Sequence, residues 1–400
     1  MKEIKNIQRG NQSKMDTNII EEIKQNYDTP AYIFDINVLK NRIEYLKSKL
    51  PQNVKLCYAI KANTFIVKEI EDIIDRFEVC SPGEYYICKE NNINPSKILI
   101  SGVNKTPEVI KEMIESNESL NCYTIESIKQ FNLIKEISNS KNIDIMLRIT
   151  SGNQFGINLE EAEELIKNRS EYSNLNIKGI QYFSGTQKRS LKILGKELDY
   201  LDEVIINLKE KYGFEIEELE YGSGFPVFYF QNDEFDEDTF LTEFFEKMSN
   251  MKYKGKIIIE LGRWVAASCG TYITKVVDKK INKGQNYAIL DGGMNHLVYY
   301  GQSMAMKIPK CKVYPEKESY EQKWNLCGSL CTTNDILVKQ FPAGDLQIGD
   351  ILIFENTGAY CMTEGISLFL SRDLPYVFKI TEDKKLQLVR GNLPTYKLNN

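Results

Sequence analysis

The stretch CYAIKAN at 57–63 ends an apolar run on one lysine, Lys61, with small residues behind it. A lysine in a partly desolvated pocket loses affinity for its proton and attacks carbonyls; a lysine that merely marks a strand end does neither. YGSGFP at 221–226 is a second candidate. Backbone N–H groups of Gly222, Ser223 and Gly224 can cradle a phosphate, or the residues simply make a tight turn. Thr186, in GIQYFSGTQ at 179–187, adds a hydroxyl able to donate to the same phosphate. ELGR at 260–263 sets a carboxylate and a guanidinium three residues apart. Glu260 suits a protonated ring nitrogen and Arg263 a phosphate, or the two form a solvated pair. CGSLCTTND at 327–335 combines Cys331, hydroxyls and Asp335. An exposed cysteine beside charge can act as acid or base, whereas buried thiols are structural. GAYCM at 358–362 offers Tyr360 as a core aromatic or as a hydroxyl aimed at a ligand. Imidazole contributes little: the chain has one histidine, His296, expected to be structural or at a rim.

These residues need elements to position them. Eight short apolar runs alternate with charged, helix-patterned stretches between residues 54 and 261. The runs are VKLCYAI, RFEVC, KILIS, LNCYT, IDIMLRI, IKGIQYF, IEELEYG and KIIIEL. Strand–helix alternation implies a parallel sheet, and eight repeats predict a (β/α)₈ barrel. In such a barrel the active site lies at the C-terminal strand ends. The residues there are Lys61, Ser81, Gly102, Thr124, Arg148, Ser184 to Thr186, Gly222 to Gly224 and Glu260 to Arg263. That set suits an anionic, phosphate-bearing cofactor. After about residue 265, β-rich runs such as NYAILDGG, DILIFENTGAY and YVFKITED take over, which predicts an all-β domain. Residues 19–27 read as a short helix capped by Asp16 or Thr17, and residues 1–18 as a polar, partly disordered lead.

Bulk properties exclude other classes. Net charge −5 argues against nucleic acid, since no basic excess exists to neutralise phosphates. No apolar run approaches the ~20 residues that span a bilayer, and the opening residues lack a leader's apolar core, so a cytoplasmic protein without membrane contact is expected. Nine cysteines without CxxC spacing read as free thiols; without histidine partners they do not suggest zinc.

Taken in order, YAIKAN, FEVCSPGE, GIQYFSGTQ, YGSGFP, ELGR, CGSLCTTND and GAY resemble the pyridoxal-phosphate-dependent decarboxylases of the diaminopimelate/ornithine type. The resemblance implies an α/β fold: an alanine-racemase-like (β/α)₈ barrel over 37–264 followed by a C-terminal β domain over 265–400. Residues 1–28 precede a strand at 29–36 that joins the β domain. It implies a homodimer with shared active sites. Lys61 would carry pyridoxal 5'-phosphate, and Glu260 would keep its ring nitrogen protonated. Thr186, Gly222, Ser223, Gly224, Arg263 and Tyr360 would hold the phosphate, with Ser184 and Gly262 beside them. Arg148 would lie beneath the cofactor near Glu78. Cys331 of the partner subunit would protonate the α-carbon, and Tyr299, Tyr300, Thr332 and Asp335 would face the substrate.

The departures bear on the substrate. Phe183 stands where the family stacks a histidine on the ring, and Gln181 replaces the histidine before it; phenylalanine stacks but neither donates nor carries charge. Thr332 stands where enzymes for basic substrates carry Asp or Glu. Without that partner a distal ammonium forfeits a bond of about 1.5–3 kcal/mol. The arginine expected for a distal carboxylate is absent from GMNHLVYYGQSM, and Gln154 replaces the lysine that usually meets Asp335. The resemblance is thus to the branch containing the butirosin-pathway decarboxylase of glutamyl-carrier-protein thioesters. The expected substrate is an amino acid, free or tethered to an acyl-carrier protein, without a basic distal group. Diaminopimelate decarboxylation, an inactive regulatory binding protein and a racemase on the same fold are the alternatives.

Overall fold

A computed structural model describes residues 16–116, 118–139 and 141–400; residues 1–15 of the polar lead lie outside them. The chain forms two compact units, one of residues 43–226 and 236–264, the other of residues up to Arg42, 227–235 and 265–400. The first strand, β1 (Ala31–Asp35), belongs to the second unit.

The first unit is the barrel. Its strands are β2 (Val54–Ala59), β3 (Arg76–Val79), β4 (Ile98–Ile100), β5 (Cys122–Ile125), β6 (Ile143–Ile149), β7 (Leu175–Phe183), β8 (Glu218–Gly222) and β9 (Lys256–Leu261). They are the eight expected runs, and they close in sequence order. β9 returns parallel to β2, with Val54 opposite Ile257 and Tyr58 opposite Leu261. The helices between them start on side-chain caps. Ser81, Ser127, Ser190 and Asp236 each accept a backbone N–H from the first turn. Helix Leu159–Lys167 buries Ala162 and Ile166, four residues apart on one face. After β2 three short 3₁₀ turns replace a helix, and Lys61 lies in the first, Ile60–Ala62.

The barrel interior has two characters. Leu99, Cys122 and Met146 form an apolar cluster on β4, β5 and β6. β3, β7, β8 and β9 instead bury Arg76, Glu78, Gln181, Glu218, Glu220 and Glu260. Period-2 alternation explains this on β8: Glu218 and Glu220 share one face, Leu219 and Tyr221 the other.

The second unit adds to β1 the strands β10 (Gly270–Asn282), β11 (Gln285–Leu290), β12 (Cys311–Tyr314), β13 (Lys323–Cys327), β14 (Ile336–Pro342), β15 (Ile351–Glu355), β16 (Tyr376–Ile380) and β17 (Leu386–Arg390). They form a nine-stranded sheet in the order β14-β13-β11-β10-β1-β16-β17, with β15 pairing β10 and β12. β1 inserts between β10, antiparallel, and β16, parallel. Helix Thr17–Asn26, capped by Asp16, packs Ile19, Ile20 and Ile23 against Ile33, Ile273, Ile353 and Phe378. Three features differ from expectation. Residues 37–42, expected in the barrel, belong to this unit. β13 is a strand beyond the expected runs. Residues 227–235, expected in the barrel, belong to this unit because they run beside 308–310: the Gln231 N–H donates to the Ile308 carbonyl at 3.0 Å and the Lys310 N–H to the Tyr229 carbonyl at 2.9 Å. All nine cysteines are free.

His296 is structural and buried. Its Nε2 lies 2.8 Å from the Asp373 carbonyl and its Nδ1 3.4 Å from the Tyr272 hydroxyl. Burial pushes its pKa down to about 4, aided by Arg372 and Arg390 and opposed by the Asp373 bond. The unfolded chain takes up this proton near pH ~6.5, the folded chain only near 4. The stability from a neutral His296 is therefore intact above the higher value and lost as pH falls through the lower one. His296→Gln is expected to flatten the fall in melting temperature across that window, an effect on the order of 3 kcal/mol. Thermal unfolding at stepped pH checks it; parallel curves for both proteins would remove the assignment.

Candidate active site

Lys61 projects from the turn after β2 with its side chain 40% exposed. Desolvation is expected of this lysine; it is half open instead, because the turn carries it past the last strand residue. Its Nζ donates to Glu78 Oε2 at 2.6 Å and lies 3.4 Å from Cys80 Sγ. Burial raises the Glu78 carboxyl, but the charge and hydrogen bond of Lys61, with Cys80 and Arg148, hold it down at about 2. Glu78 thus pairs with Lys61. Arg148, expected near Glu78, bonds Glu126 Oε2 at 3.0 Å and stacks 4.8 Å from the Phe155 ring centre.

Glu260, at the end of β9, is pushed well above the carboxylate range by burial and by the charges of Glu78 and Glu220, against Lys61 and Arg148. Gln181 joins the two halves of this interior. Its Nε2 donates to Glu260 Oε2 at 2.9 Å and to Glu220 Oε1 at 3.3 Å. Below it, Arg76 bonds Glu220 at 2.5 Å and Glu218 at 2.6 Å, and Lys256 bonds Glu218 at 2.9 Å.

Two turns meet beside this cluster. A Cβ on Gly224, whose φ is +61°, would fall 2.1 Å from the Gly185 carbonyl, so only glycine lets the turns abut. A Cβ on Gly222 would lie 2.5 Å from Phe183 Cδ2, which places that ring over the gap left by the glycine. Ser223 Oγ is buried there without a hydrogen-bond partner, and Thr186 is half-buried. Gly262 and Arg263 close β9, with Arg263 buried. Ser184 departs from expectation: its hydroxyl bonds Glu197 and accepts from Lys188 Nζ at 2.8 Å, so it is committed to the protein.

These residues fit pyridoxal phosphate. A half-open amine awaits an aldehyde, and the glycine turns leave backbone room for a phosphate. The raised Glu260 carboxyl is met by the neutral Gln181 amide, and a protonated ring nitrogen supplies a cation. Lys61, Glu260, Phe183 and the two turns would hold the group.

The other expected residues lie in the second, mostly β-sheet unit. Tyr360 adopts φ +65°, uncommon for tyrosine, and its carbonyl accepts from Thr363 and Glu364. Cys331 is exposed, Thr332 half-buried and Tyr300 exposed. Asp335 and Tyr299, expected to face the substrate, both make bonds within the protein. Asp335 is buried, and its two oxygens accept the Met294 and Leu330 N–H groups, each at 2.8 Å. These two bonds fasten the 328–335 loop. The buried Tyr299 hydroxyl donates to the Glu355 carbonyl at 2.6 Å.

Sequence reasoning missed Glu126, Arg76, Glu218, Glu220, Lys188 and Glu197. Glu126 carries a signal: it lies one residue past β5, just beyond the strand end expected at Thr124.

Comparison with known proteins agrees with this geometry. Residues 36–267 match the pyridoxal-binding domain of the pyridoxal-dependent decarboxylases. The chain is 27% identical to the diaminopimelate decarboxylase of Aquifex aeolicus over 85% of this chain and 84% of that one. It is 26% identical to the 2-[(L-alanin-3-ylcarbamoyl)methyl]-2-hydroxybutanedioate decarboxylase of Staphylococcus aureus, over 92% and 98%. It is 24% identical to the L-glutamyl-[BtrI acyl-carrier protein] decarboxylase of Niallia circulans, over 89% and 90%. The diaminopimelate decarboxylase structure from Helicobacter pylori, complexed with L-lysine, shares the fold with TM-score 0.84 at 23% identity, over 95% of this chain and 98% of that one. The chain belongs to the pyridoxal-dependent decarboxylases, lyases that release CO₂ and use pyridoxal phosphate.

Proposed function

We propose that this enzyme removes the α-carboxylate of an amino acid, or of an amino-acyl group tethered to a carrier protein, whose distal end bears no ammonium. The 328–335 loop carries the reading. Its one carboxylate, Asp335, is buried on backbone N–H groups, and the residue after Cys331 is the neutral Thr332. No carboxylate on that loop is left for a distal ammonium. Two relatives support the reading. One is named for a substrate ending in an amide-linked hydroxybutanedioate, the other for a glutamyl group on a carrier protein.

Pyridoxal phosphate, when bound, supplies a ring that accepts the electron pair left at the α-carbon as CO₂ departs. Lys61 would be the residue that holds the cofactor, through its half-open Nζ. Glu78 steadies the ammonium of Lys61, and Glu260 holds the proton on the ring nitrogen. Phe183 confines the ring without adding charge. We infer that two copies assemble, so that Sγ of Cys331 in one protomer returns a proton to the α-carbon in the other.

The relatives named as diaminopimelate decarboxylases support a second reading, and one experiment separates the two. CO₂ release is measured with diaminopimelate, lysine, ornithine and a γ-glutamyl thioester. The thioester is expected to turn over fastest, and Thr332→Glu to shift preference toward the basic substrates. Fast turnover of diaminopimelate alone would sink the proposal.

A further inference from the structure

Behind the two glycine turns lies a polar cluster in which only Ser184 was expected beside the cofactor. Lys188 is nearly enclosed, its side chain 9% exposed. Its backbone N–H donates to the Gly224 carbonyl at 2.9 Å. Its Nζ donates to Ser184 Oγ at 2.8 Å and to Glu197 Oε2 at 2.7 Å. Tyr221 and Ser184 donate their hydroxyls to the same Glu197 carboxylate. Lys188 Nζ also lies 5.5 Å from the Tyr221 ring centre, and Lys188 Cε is 3.1 Å from where a Gly224 Cβ would be.

One residue therefore ties both turns to helix Leu191–Tyr212. Its main chain fixes Gly224, and its ammonium fixes Ser184 through Glu197. A surface lysine of this length would cost rotamer entropy to hold in one place, yet this one is bonded at both ends. A phosphate bound by backbone N–H groups depends on how rigidly those groups converge.

We propose that Lys188, held by Glu197, is a positioning residue for the cofactor's phosphate: it locks the 184–186 and 222–224 turns into one anion-binding surface. The inference rests on the cofactor and not on the substrate reading. It predicts an effect specific to the phosphate. Pyridoxal phosphate and pyridoxal, which lacks that group, are titrated separately onto the apoenzyme, followed by absorbance. Lys188→Met is expected to weaken pyridoxal phosphate about tenfold or more and leave pyridoxal unchanged. Inorganic phosphate should compete less well against pyridoxal phosphate in the variant. Lys188→Arg, which keeps a cation and donors, should recover part of the loss. Glu197→Gln gives the same comparison if Lys188→Met does not fold. Equal losses for both ligands would make Lys188 a plain fold residue and overturn the proposal, as would no loss for either. These titrations need no amino-acid substrate, so they fail independently of the proposed reaction.

Discussion

Glu260→Gln is expected to lower kcat by about 10²–10³-fold while leaving the apoprotein at least as stable as the parent at about pH 8. The two effects share one cause. Glu260 is buried beside Glu78 and Glu220, and its carboxyl is pushed well above its ordinary value. A carboxyl with a raised folded-state pKa contributes stability below its unfolded value, near 4.5, and that stability is lost as pH rises. Glutamine keeps the shape, has no charge to bury, and so removes that penalty. In the role proposed for Glu260 it also could not hold a proton on the cofactor's ring nitrogen, so the electron sink would weaken. A second readout separates these roles. Saturating pyridoxal phosphate should raise the melting temperature more for the parent than for the variant, since only the parent gains a counter-charge. Steady-state CO₂ release and thermal unfolding with and without cofactor measure both. An unchanged kcat would mean that Glu260 does not face the ring.

What the sequence made legible follows from what sequence patterns encode. The eight barrel strands were visible because each is a short apolar run bounded by helical periodicity. Lys61 and the glycine turns were visible because strand ends in a barrel converge. Direction was not visible. Ser184 has the right type and place for a phosphate ligand, yet its hydroxyl turns to Glu197 and Lys188. Asp335 follows Cys331 closely, but its carboxylate turns inward to two N–H groups. Tyr299 is polar at its tip, and a backbone carbonyl takes that tip. Charge inside the barrel was hidden for another reason. IEELEYG reads in sequence only as a short strand run, with nothing to say which way its acids turn. Closure of the sheet turns two of its three acids, Glu218 and Glu220, inward to meet Arg76, 142 and 144 residues away in the chain. Pairing at that separation leaves no local trace.

That closure makes Arg76 the residue whose loss the fold should tolerate least. Arg76→Met is expected to cost about 3–5 kcal/mol, because it leaves buried carboxylates without their cation. Glu220 suffers most. Burial already raises its pKa against the pull of Arg76, and without the guanidinium it keeps the neutral Gln181 amide at 3.3 Å. Glu218 keeps Lys256 at 2.9 Å. The deficit should therefore depend on pH. Without Arg76, Glu220 retains its proton in the fold but sheds it on unfolding above its ordinary value near 4.5. The unfolded state then binds fewer protons, so the stability lost grows as pH rises and shrinks in mild acid. Adding Glu220→Gln should recover part of the loss, since the acid is removed and an amide can still meet Gln181. Denaturant unfolding of the single and double variants between about pH 5 and 8 tests this. A loss independent of pH and untouched by the second substitution would reduce Arg76 to packing volume. Activity gives a linked readout: Gln181 spans Glu220 and Glu260, so displacing Glu220 should loosen Glu260 and lower kcat in the folded fraction.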